Sequence, residues 1–162
     1  IAVYLSLFAY IFLTGRKRDL PYIIIASLMS LTWMLVSHDN YGYNRDLIVI
    51  QGYNIFPLFA WAAGLSGFYL IYLDLEAIFF RNGGLLKHFL IYSFLSLSLL
   101  ISLETIAYHI FNIKNNATAA YSGLPLCDCI HAPLWMQISY LSIGPLYFLL
   151  CRFYDKKVRY DV

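Results

Sequence analysis

The sequence predicts an all-α membrane protein: one bundle of five transmembrane helices, with the N-terminus outside and the C-terminus in the cytoplasm. Three observations predict this fold, namely the composition, the length of the apolar runs and the placement of the basic residues. Of the 162 residues, 61% are hydrophobic and 12% are charged. A soluble domain carries about a quarter charged residues, because its surface faces water. A surface in contact with lipid has no such requirement.

Five apolar runs are separated by polar connections. About 20 apolar residues in a helix cross a bilayer. Backbone groups in lipid must be hydrogen-bonded within the chain, so each run is predicted to be helical. The predicted helices cover residues 1–13, 20–36, 55–73, 89–110 and 133–151. All five belong to a single domain, residues 1–162. The first run is short, and we expect a truncated or processed helix rather than a signal peptide, since no basic segment precedes it.

The basic residues lie almost entirely on one side of this topology. Placing the Gly-Arg-Lys-Arg-Asp loop, residues 15–19, in the cytoplasm puts nine of the eleven Lys and Arg residues inside. Arg45 and Lys114 are the two that fall outside. Short loops rich in Lys and Arg stay on the cytoplasmic side of a membrane, and this rule sets the predicted orientation. The basic tail, residues 152–159, fits contacts with anionic lipid headgroups better than binding to nucleic acid.

The third predicted helix carries pairs of small residues four positions apart, Ala60 with Gly64 and Ala63 with Gly67. Such pairs allow two helix backbones to approach closely. We expect them to serve packing within the bundle, the alternative being the contact surface of a homodimer. Pro145 lies in the middle of the last predicted helix and is expected to kink it.

Chemically capable residues collect at the predicted outer ends of the helices. His38 follows the second helix, His109 lies near the end of the fourth, and His131 stands just before the fifth. Glu104 is the single formal charge inside the predicted spans, and Asp128 lies in the connection beside His131. Polar residues are costly in a bilayer and tend to mark functional sites. The alternative for each histidine is an interfacial side chain that reaches water.

The fourth predicted helix places a row of polar side chains on one face. Ser98, Ser102, Thr105 and His109 are spaced four, three and four residues apart, and Glu104 lies on the flank of this row. We predict that the row forms one wall of a polar cavity. The alternative is that each hydroxyl donates to a carbonyl of its own helix and only packs. An acid inside a bilayer must be protonated, paired or hydrated, so Glu104 is the predicted general acid or base.

A cysteine-rich connection precedes the last helix. If the chain is extended there, Cys127, Cys129 and His131 share one face and Asp128 takes the other. Two thiolates and an imidazole can hold Zn or Cu. The spacing differs from Cys-x-x-Cys, and a disulfide between residues two apart is expected to be strained. We therefore expect free thiols, with a metal site at Cys127, Cys129 and His131 and a disulfide as the alternatives.

Part of the chain resembles a known family. Glu104 is followed by residues 120–125, Ala-Tyr-Ser-Gly-Leu-Pro, and then by Trp135. This arrangement is similar to the C-terminal half of carotenoid-biosynthesis membrane proteins of the hydratase type, where an acidic residue precedes a Tyr-x-Gly-x-Pro turn. The Tyr-Gly-Tyr stretch at residues 41–43, with Pro57-Leu58 and Trp61, resembles an earlier motif of that family.

The chain departs from that family at two points: the tryptophans between the acid and the turn are absent, and Asp128 stands near an expected Asn. The resemblance implies that Glu104 protonates an isoprenoid double bond. It also implies that Tyr121, Gly123 and Pro125 shape the turn.

We predict a small integral membrane enzyme whose polar site opens at the outer leaflet and acts on a lipophilic substrate, with isoprenoids and carotenoids as candidates. Glu104 is its acid or base, His109 and His131 relay protons or hold a metal, Asp128 orients one of them, and His38 joins the site. The alternatives are a non-catalytic subunit that docks other membrane subunits, and a small proton-coupled carrier that uses Glu104 and His109. Membrane lipids are the predicted partners, and nucleic acid is not.

Overall fold

The computed structural model describes residues 1–40, 42–43, 48–80 and 82–160, without the side chains of Ala119 and of residues 158–160. Tyr41 of the Tyr-Gly-Tyr stretch and the basic residues Arg45 and Arg81 lie outside the described residues, as does the side chain of Arg159. Within the described part, helices account for 77% of the chain.

The helices are α1 (Ala2–Leu13), α2 (Leu20–Ser37), α3 (Phe56–Leu75), α4 (Leu85–Thr105), α5 (Asn116–Ala120) and α6 (Leu134–Tyr160). Short 3-10 turns flank α2 at Lys17–Asp19 and His38–Asn40. Single π-helical turns continue α3 over Glu76–Phe80 and α4 over Ile106–Ile110. A small antiparallel hairpin of β1 (Val49–Ile50) and β2 (Tyr53–Asn54) precedes α3.

Four helices of the described chain are long and apolar enough to cross a membrane, namely Lys17–Asn40, Phe56–Phe80, Leu85–Ile110 and Leu134–Lys157. The prediction of an all-helical, multi-pass membrane protein is confirmed at this level. Helix α1 is apolar but has 12 residues. At about 1.5 Å per residue, it is shorter than the hydrocarbon core of a bilayer, which is about 30 Å thick.

Two helices extend further at their C-terminal ends than the apolar runs predicted, and α4 begins earlier, at Leu85 rather than at residue 89. The helix expected to end at residue 73 continues through the π-helical turn to Phe80, and the one expected to end at residue 151 continues to Tyr160. Charged residues in these extensions pair with one another, so helical structure continues after the apolar run stops. Glu76 and Arg152 form such a pair. Glu104 is therefore not the single formal charge within the spans.

The core is aromatic and lies between α2, α3, α4 and α6. Its most buried large side chains include Tyr69, Tyr72, Tyr92, Tyr147 and Phe148. Several of their rings meet edge to face, with centroids 5.5 Å apart for Tyr69 and Tyr147 and 5.1 Å apart for Tyr72 and Tyr92. Each such ring pair contributes about 0.5–1.5 kcal/mol beyond the burial of its area. Tyrosine side chains thus form much of the centre of the bundle.

Small residues open space on two faces of α3. A side chain built on Gly67 would meet Leu7 of α1 at 3.6 Å, so this glycine lets α1 approach. Ala60 and Gly64 line a cavity instead, and nothing lies within 4 Å of a Cβ placed on Gly64. At Gly144 on α6, a Cβ would lie 3.0 Å from the hydroxyl of Ser96, which brings α6 close to α4.

Helix α4 is attached to the bundle mainly along α6. Among its residues, His88 and Tyr92 are buried, whereas Leu86, Leu90 and Phe94 are among its exposed apolar side chains. The outer surface of α4 is therefore free to face lipid. On its inner side, α4 leaves a gap toward α3.

Candidate functional site

A cavity of about 420 Å³ fills the gap between α3, α4 and α6. Apolar and aromatic side chains form most of its wall, among them Phe56, Trp61, Phe68, Leu100, Leu103 and Tyr140. Trp61 and Tyr140 stack with ring centroids 5.3 Å apart and planes 13° from parallel. Small-molecule sites commonly have volumes of about 300–1,000 Å³ and apolar walls with few polar groups. This cavity has the size and lining of such a site.

Glu104 is the one acidic side chain that lines this cavity among the described residues. Within the described chain, no group hydrogen-bonds or ion-pairs with its carboxyl. Neither Tyr108 nor His109, which follow Glu104 along the chain, forms a hydrogen bond with it. Tyr108 lines the same cavity, from the π-helical turn that continues α4. Glu104 thus lines the cavity, and no structural contact engages its carboxyl group among the described residues.

The predicted row of hydroxyls does not form a wall of the cavity. Ser98, Ser102 and Thr105 donate to the carbonyl groups of Phe94, Ser98 and Ile101 at 2.8, 2.8 and 2.7 Å. In a low-dielectric setting a hydroxyl takes the nearest acceptor, which is the carbonyl one turn earlier in its own helix. These residues therefore fit the alternative interpretation, in which each hydroxyl donates to a carbonyl of its own helix and the side chain only packs.

His131 lines the cavity opposite α4 and is held on two sides. Its Nε2 lies 3.1 Å from Oδ1 of Asp128, and its ring stacks on Tyr108 with centroids 4.4 Å apart. The side chain of His131 is 8% exposed, while that of Asp128 is 68% exposed. Asp128 therefore orients a buried imidazole from the solvent side. An orienting role for Asp128 is predicted from the sequence, and the structure identifies His131 as the histidine that it contacts.

The other two predicted histidines do not line the cavity. Nε2 of His109 donates to the carbonyl of Cys127 at 3.2 Å, which ties the end of α4 to the connection before α6. His38 lies at the end of α2, where its Nδ1 donates to the carbonyl of Leu35 at 3.0 Å and its Nε2 lies 3.1 Å from Asp39. Both ring nitrogens of His38 therefore contact residues close to it along the chain, and the side chain lies apart from the cavity.

The connection at residues 122–133, named here the cysteine loop, folds back on itself instead of extending. Leu124 N–H donates to the carbonyl of Cys129 at 2.8 Å, and Asp128 N–H donates to that of Leu124 at 2.9 Å. The alternation of an extended strand therefore does not apply to Cys127, Cys129 and His131.

Cys127 and Cys129 are joined by a disulfide. The expectation of free thiols is wrong for this structure, and neither sulfur is available as a thiolate ligand. Across the described residues, no group of three or more His, Cys, Asp or Glu side chains is placed to hold a metal ion. The metal site predicted at Cys127, Cys129 and His131 is thus not formed, because the sulfurs bond to each other.

A second group of polar side chains was missed by the sequence reasoning. It consists of Tyr72, Glu76, His88 and Arg152, and is named here the polar cluster. Nδ1 of His88 lies 3.3 Å from Glu76 and 3.1 Å from the hydroxyl of Tyr72, and Arg152 donates to Glu76. His88 lies just before the predicted fourth helix, residues 89–110, but is buried within α4.

A signal for the polar cluster was present in the spacing of α3. Tyr69, Tyr72 and Glu76 are three and four residues apart, so they share one helical face once the helix is extended past residue 73.

A separate set of contacts surrounds Arg16, which forms hydrogen bonds with Asp19 at 2.6 Å and with Asp74 at 3.0 Å. Burial opposes the charge of Arg16, but the bonds to Asp74 and Asp19 outweigh it and raise the pKa of the guanidinium. These contacts join the α1–α2 turn to the end of α3.

No protein-family model, curated protein or solved structure matches this chain. Evidence about function therefore comes from the chemistry of the cavity and its lining residues.

Proposed function

We propose that this chain is a small integral membrane enzyme that binds a lipophilic, unsaturated substrate of the isoprenoid class in the cavity between α3, α4 and α6. Glu104 is its general acid. One observation carries the proposal: within the described chain, Glu104 is the one carboxyl group that lines the apolar cavity, and it has no partner there. The resemblance to hydratase-type carotenoid proteins, which includes Glu104, supports the choice of substrate class.

The lining of the cavity supports an apolar ligand and a neutral acid. Removal of apolar surface from water contributes about 25 cal/mol per Å² before the entropic cost of binding is subtracted. A carboxyl group among apolar side chains, without a cationic partner, costs less to bury as the neutral acid than as the carboxylate. Glu104 therefore offers a proton to whatever occupies the cavity, whereas most of the remaining wall offers only apolar contact.

The chemistry follows from an acid beside aromatic rings. The π electrons of a substrate double bond take the proton of Glu104, so that a C–H bond forms, the neighbouring carbon becomes cationic and Glu104 becomes a carboxylate. The faces of Trp61, Tyr140 and Tyr108 stabilise positive charge in this space. Attack by water then forms the C–O bond, and the released proton passes to His131, which Asp128 orients. Exchange of protons with solvent returns both residues to their starting forms.

We further propose that α1 is a fifth membrane segment, with the N-terminus outside and the C-terminus in the cytoplasm. Support for the fifth segment comes from its packing: the hydroxyls of Tyr4 on α1 and Ser27 on α2 lie 2.5 Å apart, and Leu7 packs on Gly67. Support for the orientation comes from the basic end of the bundle. Lys17, Lys87 and Arg152 share that end with the polar cluster, in accord with the positive-inside rule.

The proposed reaction is tested by deuterium transfer. The full chain in lipid nanodiscs, in heavy water, is incubated with linear isoprenoid hydrocarbons, and mass spectrometry measures deuterium bound to carbon and addition of water. We expect incorporation with the wild type and with Ser98→Ala, whose hydroxyl donates within its own helix away from the cavity. We expect none with Glu104→Gln, which keeps the shape of the side chain without its acidic proton.

The alternatives give different results in the same experiment. A non-catalytic subunit transfers no deuterium in any form and tolerates Glu104→Gln without loss of assembly. A proton-coupled carrier moves protons across proteoliposomes without deuterating carbon. If the wild type incorporates no deuterium from the whole substrate panel although the panel binds, the role of Glu104 as a general acid is wrong.

A further inference from the structure

We propose that the Cys127–Cys129 disulfide is a redox-controlled latch on the cavity, so that its reduction weakens the binding of a lipophilic ligand. The inference rests on the proposed function, since the ligand concerned is the one that the cavity binds. It concerns the regulation of the site rather than its chemistry.

The segment closed by the disulfide and the residue that follows Cys129 adopt backbone angles that their residue types do not favour. Asp128, between the two cysteines, has φ 43°, and Ile130, directly after them, has φ 55°. This left-handed region suits glycine, and Asp enters it occasionally, but a β-branched residue such as Ile is an outlier there. Such conformations persist where surrounding structure holds them. The disulfide is the covalent link that closes the chain around this segment.

The cysteine loop also packs tightly against its own backbone. A Cβ on Gly123 would lie 2.8 Å from the carbonyl carbon of Asp128 and 2.9 Å from the backbone nitrogen of Cys129. The approach is possible because Gly123 has no side chain. Together with the hydrogen bond from Leu124 to Cys129, it leaves little freedom while the disulfide is closed.

The residues that directly follow the disulfide form part of the cavity. Ile130 and His131 line it, and Ile130 is 3% exposed. Asp128, inside the disulfide-closed segment, is the residue that contacts His131. Opening the disulfide lets Asp128 and Ile130 relax toward ordinary backbone angles, and such a change moves the apolar contact of Ile130 and the orientation of His131 together. Breaking the Cys127–Cys129 bond is thus expected to change the wall of the cavity through the backbone of residues 128–131.

The exposure of the two sulfurs sets the route of reduction. Cys127 is partly exposed and Cys129 is buried, so a dithiol reductant reaches Cys127 first. A thiolate of the reductant attacks the sulfur of Cys127, the S–S bond breaks, and Cys129 leaves as a thiolate that takes up a proton. The second thiol of the reductant then displaces Cys127 and forms its own internal disulfide. The protein gains two S–H bonds, and the dithiol loses its two hydrogens.

The test compares one polypeptide in two redox states. The 162-residue chain in nanodiscs, purified without reductant, is titrated with a fluorescent conjugated polyene before treatment with dithiothreitol, after it, and again after reoxidation. We expect the dissociation constant to rise about tenfold on reduction, equivalent to about 1.4 kcal/mol, and to return on reoxidation. A return of the dissociation constant on reoxidation distinguishes reversible opening of the disulfide from misfolding of the reduced protein.

Matched variants assign the effect to the loop. Cys127→Ser with Cys129→Ser should bind like the reduced wild type and ignore dithiothreitol. Cys151→Ser removes a free thiol buried in α6 and should keep the full response. Equal affinity in the oxidised and reduced wild type overturns the proposal. So does alkylation mapping that finds Cys127 and Cys129 as free thiols in protein never exposed to reductant.

Hydrogen–deuterium exchange of residues 122–133 separates failure of the latch from failure of the proposed function. If the oxidised protein binds no polyene, the proposed ligand class is wrong, and exchange then decides the latch alone. Faster exchange in this segment after reduction supports the latch. Unchanged exchange contradicts it, whatever the cavity binds.

Discussion

Arg152 of α6 donates a hydrogen bond to the carboxylate of Glu76, on the π-helical turn that continues α3, and forms an ion pair with it inside the bundle. His88 of α4 contacts the same carboxylate at 3.3 Å. The side chains of Arg152 and Glu76 are 21% and 18% exposed, so each depends on the other for much of its stabilisation. This cluster joins α3, α4 and α6 at one end. Toward the other end, the same helices separate around the cavity.

We therefore expect removal of one charge of this pair to be strongly destabilising. Glu76→Gln leaves Arg152 without its carboxylate, and breaking a buried pair costs about 3–5 kcal/mol, with the lower end expected here because of residual exposure. Thermal unfolding in detergent measures the loss. Asp74→Asn is the matched control, since Asp74 is 57% exposed and its pair with Arg16 is worth at most about 1 kcal/mol. Equal effects of the two substitutions would contradict the structural role of the polar cluster.

Glu104 should behave in the opposite way. Its carboxyl has no hydrogen-bond partner among the described residues, so Glu104→Gln and Glu104→Leu should leave the melting temperature nearly unchanged while abolishing deuterium transfer. Replacing a buried polar group that makes no bonds with an apolar one leaves no partner unsatisfied. The measurement pairs thermal unfolding with the transfer assay. A large loss of stability in Glu104→Leu would indicate a structural rather than a chemical role.

The size of the cavity can be tested from α3. Nothing lies within 4 Å of a Cβ on Gly64, so Gly64→Leu should fill the cavity and weaken polyene binding at least tenfold. Removing glycine from a helix interior also gains about 1 kcal/mol of helix propensity, so the protein should not lose stability. Gly67→Leu is the control, because a Cβ there already contacts Leu7 of α1 at 3.6 Å, so the larger side chain requires α1 to shift. We expect Gly67→Leu to lower the melting temperature, and unaffected binding in Gly64→Leu would place the ligand elsewhere.

Gly123 is expected to be intolerant of any side chain. The Cβ of Gly123→Ala would lie 2.8 Å from backbone atoms of Asp128, so the cysteine loop must shift, at about 1–3 kcal/mol for such overpacking. Limited proteolysis and thermal unfolding measure the effect. Gly84→Ala provides the comparison, since nothing lies within 4 Å of a Cβ at that position. Similar behaviour of the two variants would be inconsistent with the packing of the loop.

The proposed orientation predicts the outcome of thiol labelling in intact cells. After treatment with an impermeant reductant, Cys127, which is partly exposed, should react with an impermeant maleimide, because the cysteine loop is proposed to face outward. Lys87→Cys, at the basic end of the bundle, should react only after the membrane is permeabilised. The opposite pattern would invert the topology. Cys151 is fully buried and therefore serves as an unlabelled internal reference.

The membrane fold could be predicted from the chain because hydropathy and charge are properties of single residues and of their immediate neighbours. A run of apolar residues predicts a helix in lipid wherever it lies, and the spans of α2, α3, α4 and α6 follow from this alone. The candidate acid Glu104 was recognised for the same reason, as a charge within an apolar run. Helix ends were less predictable, because Glu76 and Arg152 stabilise each other across the bundle.

What the sequence by itself determined is therefore the helical, multi-pass class of the protein and the identity of Glu104 as an exceptional residue. Only the tertiary structure decided which polar residues meet. It brought Glu104 and His131 to one cavity, left His38 outside it, turned Ser98 and Ser102 toward carbonyl groups of their own helix and assembled the polar cluster. The physical reason is that these contacts depend on how each helix is rotated and packed against the others. A one-residue change in rotation turns a side chain by about 100°, and hydropathy along the chain does not determine that angle.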